Sequence, residues 1–181
     1  MKRIDLDAPR FSQADALQLV PGLPIRTLQN WASRRLLDQD IEEVRPGKGA
    51  PRLYSGLGIV ALSFMRILVG LGIPPRAARA LFDELTHAVT ALHRAYPAED
   101  DSDGRLHWAV APEITQRLQS AYISSERDGG YRVRLQHSYF GGVSDPVYIV
   151  VELDVLSLAA FNRIYAFLAE KLNAEDSINS H

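Results

Sequence analysis

The stretch LPIRTLQNWASRRLL, residues 23–37, has two faces. At about 100° per residue, Ile25, Leu28, Trp31 and Ala32 fall on one side of a helix, and Arg26, Thr27, Asn30, Ser33 and Arg34 on the other. The first side is apolar and reads as core, Trp31 included, because it shares the Leu28 face. The second holds no acid, only side chains that can donate hydrogen bonds to phosphates or base edges. A polar helix face is often merely solvated, so its meaning depends on the neighbouring elements.

Upstream, Phe11-Ser12-Gln13-Ala14-Asp15 reads as a helix start, with Ser12 as cap and Asp15 completing a capping-box variant. That helix carries Ala16, Leu17 and Val20 and stops at Pro21-Gly22; Pro24 then opens the second helix, where a missing N–H costs little. Two short helices about a tight turn outline a helix-turn-helix. Downstream, Ile41 and Val44, then Leu53 and Tyr54, flank the loop Pro46-Gly47-Lys48-Gly49-Ala50-Pro51, which predicts a short β-hairpin with a basic tip. Ser55 is placed to cap a third helix that ends at Gly70 and Gly72. Pro74-Pro75 starts a fourth, with Ala78, Leu81, Phe82, Leu85, Val89 and Leu92 at helical spacing as far as about Tyr96-Pro97.

This order of elements resembles the DNA-binding domain of MerR-type winged-helix regulators over residues 11 to about 86. The family's recognition helix, (S/P)-x-R-T-L-R-Y-Y-E, is matched by Pro24-Ile25-Arg26-Thr27-Leu28-Gln29-Asn30-Trp31-Ala32, and its following GLL by Arg35-Leu36-Leu37. Its wing signature, G-x-R-x-Y-(S/T), is matched by Ala50-Pro51-Arg52-Leu53-Tyr54-Ser55, and its LRELGFSLEEIRELL is similar to the run from Leu68 to Phe82. The departures are Asn30-Trp31 for a Tyr-Tyr pair, a longer and more basic wing tip, and Gly56-Leu57-Gly58 where an acid follows the wing Ser. A similar domain occurs in phage excisionases and small terminase subunits, so the resemblance implies DNA binding more firmly than transcriptional control. The residue chemistry agrees: Arg26 can take a guanine bidentately, Asn30 an adenine or a phosphate, and Thr27 and Arg34 base or backbone. Arg45, Lys48 and Arg52 can grip flanking phosphates, or Arg52 can lie in the minor groove, and Tyr54 can bury its ring while offering its hydroxyl to a phosphate. Arg76 and Arg79 read as a solvated face.

Composition sets bounds on this reading. A chain of 181 residues, 46% of them hydrophobic, is long enough for two small domains, and with no cysteine it has neither disulfides nor thiolate chemistry. The overall charge of −2 hides an asymmetry: residues 1–94 hold 13 basic and 9 acidic side chains, residues 95–181 hold 7 and 13. Two modules with different partners are expected from such a split. The N-terminal residues lack the apolar run of a signal peptide, and Arg66 interrupts the longest apolar stretch, so a cytoplasmic, nucleoid-associated protein without membrane contact is expected. His87 and His93 lie on different helix faces, His137 reads as a face residue of a strand, and Asp100, Asp101 and Asp103 lack the closing Glu of a calcium loop. No catalytic residue, cofactor or metal is expected.

Beyond the acidic linker AEDDSDGR the period changes. RLHWAV reads as a strand, PEITQRLQSAY as a short helix, YRVRLQHSYF and PVYIVVEL as strands, and Val155 to Leu172 as a closing helix with Leu158, Phe161, Tyr165, Leu168 and Leu172 in a stripe. From Asn173 the tail is polar and is expected to fray. The expected fold is therefore mainly α: a winged helix-turn-helix over 1–95, followed by a small α+β module over 105–173. That module, with its small antiparallel sheet, is assigned homodimerisation through the helix stripe, or a protein partner or small effector. The expected function is that of a sequence-specific transcriptional regulator on double-stranded DNA. The alternatives are a phage-type or architectural DNA-binding protein and a protein-interaction adaptor.

Overall fold

The computed structural model describes residues 5–37, 41–43, 52–95, 120–125, 131–136 and 148–179. Among them the protein is mainly helical, with antiparallel sheet in two places. No helix among the described residues is long and apolar enough to cross a membrane. The chain forms two compact units, Ile4–Arg66 with Ala159–His181, and Ile67–Leu158 with Met1–Arg3. This is not the division expected at residues 95–105. The final helix contributes its larger part, from Ala159, to the first unit, where Phe167 meets Phe11.

In the first unit, α1 (Gln13–Leu19) is capped as its sequence dictates: the Asp15 N–H donates to Ser12 Oγ at 3.2 Å, and the Ser12 N–H to Asp15 Oδ2 at 2.9 Å. Seven residues are too few for a helix to stand alone in water. It is held at both ends by α5 (Leu153–Asn179), which runs antiparallel to it. Arg163 Nε donates to the carbonyl of Leu19 at 2.8 Å, and Lys171 Nζ lies 3.2 Å from both Asp15 carboxylate oxygens. Between these points Phe167 meets Phe11 with ring centroids 6.2 Å apart and tilted by 54°, and Lys171 sits 4.7 Å over the Phe167 ring.

The α1–α2 turn depends on Gly22, whose φ of 77° suits glycine. Then α2 (Ile25–Ser33) begins. The expected hairpin is present as β2 (Ile41–Glu43) and β3 (Arg52–Ser55), paired antiparallel with Ile41 opposite Tyr54. An additional strand, β1 (Pro9–Phe11), pairs with the other edge of β3, giving the order β1-β3-β2. Three residues beginning at a proline carry no alternation pattern, so β1 is not legible in the sequence. Ser55 Oγ accepts the Gly58 N–H at 2.9 Å and caps α3 (Gly56–Gly70), as expected. Close packing leaves no room for a side chain at Gly56. A Cβ there would lie 2.8 Å from Leu6 Cδ2 and 3.3 Å from the Leu6 backbone, whose carbonyl accepts the Leu57 N–H.

α3 ends in a Schellman motif: the Gly72 N–H donates to Val69 and the Ile73 N–H to Leu68, with Gly72 at φ 92°. In the second unit, α4 (Pro75–Ala95) buries all of Ala78, Leu81, Phe82, Leu85, Val89 and Leu92, the stripe read from the sequence. It lies against β5 of a second antiparallel sheet, ordered β5-β4-β6 from β4 (Ser120–Ser125), β5 (Tyr131–Gln136) and β6 (Tyr148–Glu152). Of the three strands read from the sequence, YRVRLQ and YIVVE are present. The central β4 is not the expected helix end: Ser120, Ala121 and Tyr122 are strand, hydrogen-bonded on both sides. RLHWAV, the acidic linker and His137 lie outside the described residues.

α5 is longer than expected, helical to Asn179 rather than frayed from Asn173. Its stripe is not a free pairing surface. Phe161 and Tyr165 are buried with Ala160, Ile164 and Phe167, and Leu158 and Leu168 are half-buried. The chain itself thus covers the centre of the stripe expected to pair, while the side chain of Leu172 at its end lies outside the described residues.

The packing at Gly56 predicts that Gly56→Ala lowers stability by about 1–3 kcal/mol, the ordinary cost of overpacking. Gly70→Ala, with nothing within 4 Å of the added carbon, should be neutral or slightly stabilising. Denaturant midpoints measured on both variants check this.

The Asp15 carboxyl gives a pH signature. Burial raises its pKa, but the Ser12 N–H, Lys171 and the Ser12 hydroxyl together outweigh burial and hold it below the ordinary aspartate value. A depressed folded-state pKa contributes stability above the unfolded value near 3.9 that is lost as pH falls through the folded value. The melting temperature of Asp15→Asn should lie below that of the native chain at pH 7, and the gap should close as the pH is lowered from about 4 towards 2.5.

Candidate nucleic-acid interface

The two faces of α2 separate as their residues suggest. Leu28, Trp31 and Ala32 are buried, and Arg26, Gln29, Asn30, Ser33 and Arg34 are exposed. Thr27 is half-buried, and its N–H donates to the Pro24 carbonyl at 3.0 Å. Ser33 turns its hydroxyl back to the Asn30 carbonyl at 2.9 Å, so this donor is spent on the helix itself. Arg26 and Asn30 lie one turn apart on the open face, while Arg34 stands at the C-cap, about 12 Å along the axis from Arg26 at 1.5 Å per residue.

Ile25 departs from the expected pattern. It is 48% exposed, not core, and Pro24 and Arg26 beside it are exposed as well. A helical wheel gives the angle of a residue about the axis, but not how far along the axis the core reaches. Here the first turn of α2 overhangs it. That turn has no side-chain cap and no acid. Its free N–H groups and the positive end of the helix dipole are open to an anion.

α2 ends in the same motif as α3: the Arg35 N–H donates to Ala32 and the Leu36 N–H to Trp31. The left-handed position is taken by Arg35 at φ 59°, the one non-glycine residue with positive φ among the described residues.

Among the hairpin residues, Arg52 is exposed at the start of β3. Arg45 and Lys48 lie outside the described residues. Tyr54 is corrected: it is 1% exposed, in the central strand between Phe11 on β1 and Ile41 on β2. Burial pushes its phenol above the ordinary pKa, against a smaller opposing effect of the Arg52 charge. Its hydroxyl is thus part of the core and does not reach a phosphate. Arg79 is corrected too. It is buried, with Nε 2.9 Å and Nη2 2.8 Å from Asp83 Oδ1 and its guanidinium 5.7 Å over Phe82, whereas Arg76 is exposed.

The surface of α2 therefore offers Arg26, Gln29 and Asn30 on an acid-free face, with Arg34 at one end and an uncapped first turn at the other. Gln29 was missed because it falls at the edge of the polar face. Its amide can still donate and accept at once, as an adenine edge requires. No family model matches the chain, and no curated protein matches it in sequence.

The strained Arg35 predicts that Arg35→Gly raises stability by about 0.5–1 kcal/mol, while a β-branched Arg35→Val lowers it. Thermal unfolding of the two variants side by side measures both signs.

Proposed function

We propose that this protein binds double-stranded DNA in a sequence-specific manner and acts in transcription regulation, as a winged helix-turn-helix with α2 in the major groove. The observation that carries the reading is α2 itself, a helix that buries Leu28, Trp31 and Ala32 and turns Arg26, Gln29 and Asn30 to solvent with no acid among them. Arg26 would fork to a guanine, and Asn30 would pair with an adenine. The uncapped first turn and Arg34 would meet phosphates on either side of the groove. The hairpin β2–β3 is the wing, with Arg52 opposite Glu43 at the end of the ladder next to the connection, and Arg45 and Lys48, which fall between the two strands in sequence, would meet the flanking backbone.

Two features support kinship with the MerR-type domain beyond the motif order. Arg35 adopts the left-handed conformation at the position of the family's glycine, and Ser55 caps the helix that follows the wing. One such domain reads only a few base pairs, so a homodimer on two half-sites about a helical turn apart is part of the proposal.

Selection of bound sequences from a random duplex pool, followed by titration of the selected site, tests it. Arg26→Ala and Asn30→Ala should each cost about 1–3 kcal/mol on that site and much less on unrelated DNA. Removing Lys48 and Arg52 together should weaken binding to every sequence and flatten the dependence of log K on log salt by about 1–2. Wild-type affinity in both single variants would overturn the assignment of α2.

A further inference from the structure

Two arginines from distant parts of the chain converge on the α1–α2 turn, and the reading of α2 uses neither. Arg163, on α5, is half-buried, and its Nε donates to the Leu19 carbonyl at the end of α1. That neutral acceptor occupies one of five N–H donors and leaves the charge uncompensated. Arg66, on α3, is exposed, and its guanidinium lies over Gly22. A Cβ on that glycine would come within 2.9 Å of Nη2 and 3.3 Å of Nε. Gly22 thus serves twice, taking the left-handed conformation and leaving room for the cation.

The two cations feel each other. Burial, and then the charge of Arg66, pull the Arg163 guanidinium below its ordinary pKa. Among the described residues no carboxylate pairs with either, and the acid of α1, Asp15, is held by Lys171. Like charges at one turn repel, so an anion placed between them gains attraction from both and offsets their repulsion. Planar forks favour an oxyanion that can accept several parallel N–H bonds, and phosphate does so with the most charge.

We infer that Arg66 and Arg163 form a phosphate-binding site on the α1–α2 turn. The phosphate comes either from the backbone of bound DNA, since the turn leads directly into the first turn of α2, or from a free phosphorylated small molecule. The site stands on residues separate from the α2 face and does not require that face to read DNA.

The test uses the full chain with Arg66→Ala and the charge-preserving Arg66→Lys; residue 66 is exposed, so both should melt with the native chain in chloride. In one arm, duplex DNA is titrated across a range of salt. Loss of the contact should lower the slope of log K against log salt by about 1 in Arg66→Ala, with Arg66→Lys between it and the native chain. In the other arm, melting is compared in inorganic phosphate and in chloride at equal ionic strength, where binding to the folded state raises the midpoint. A slope change marks the DNA backbone as the source, and a phosphate-specific rise lost in Arg66→Ala without a slope change marks a free ligand. If the native chain binds no duplex yet shows that rise, the reading of α2 fails and this site stands. If Arg26→Ala weakens DNA binding while Arg66→Ala moves neither arm, the inference is overturned and the reading of α2 stands.

Discussion

The contact on which the first unit depends is the antiparallel seating of α5 along α1. A seven-residue helix closes few internal hydrogen bonds against the cost of nucleation, so it needs partners outside itself. Its capping box meets one demand at the N-terminus, and Arg163 meets another by donating to the carbonyl left open at the C-terminus. Lys171 then ties the capping box back to α5 through Asp15, while Phe11 and Phe167 fill the space between. With α1 fixed at both ends, the Gly22 turn and the start of α2 have a fixed platform. The exposure of Arg26 and Asn30 on one side of α2 follows from the burial of Leu28 and Trp31 on the other.

The same contact explains why the chain does not divide where its composition changes. The acidic linker and the shift from helical to alternating periodicity mark a change of local structure near residue 100. Compactness follows side-chain burial instead, and burial draws Ala159 onward to residues 4–66. Charge follows neither division cleanly, because Arg163 and Lys171, two of the seven basic residues in the acidic half, are both used on α1.

What the sequence made legible was local. The Ser12–Asp15 box, the Ser55 cap, the Gly72 terminus and the α4 stripe each depend on residues within a turn or a fixed period of one another, and each is found in place. The errors arose where distant residues decide. Tyr54 carries a phenol compatible with core or surface, and only its place in the middle of β1-β3-β2 settles the choice. Arg79 is the local exception: Phe82 and Asp83, three and four residues on along α4, hold a guanidinium whose helical position reads as solvated. Ile25 lay on the apolar side by angle but beyond the end of the core by height. Ser120–Tyr122 took strand pairing from two partners that no local pattern announced. For the candidate interface, the exposed residues of α2 were legible from its amphipathicity, whereas Gln29 and the Arg66–Arg163 pair were not, since the pair spans almost a hundred residues of sequence.

That span has a consequence for synthesis. Ile4–Arg66 leaves the ribosome before Ile67–Leu158 has been made, and its structural complement, Ala159–His181, follows only after that. At about 5–20 residues per second, the first segment waits roughly 5–20 s with Phe11 lacking Phe167 and the Leu19 carbonyl lacking Arg163. The unit cannot mature in the order in which it is translated. A product cut short before residue 159 lacks the α5 partners of Asp15, Leu19 and Phe11, and α1 is then left with its capping box alone.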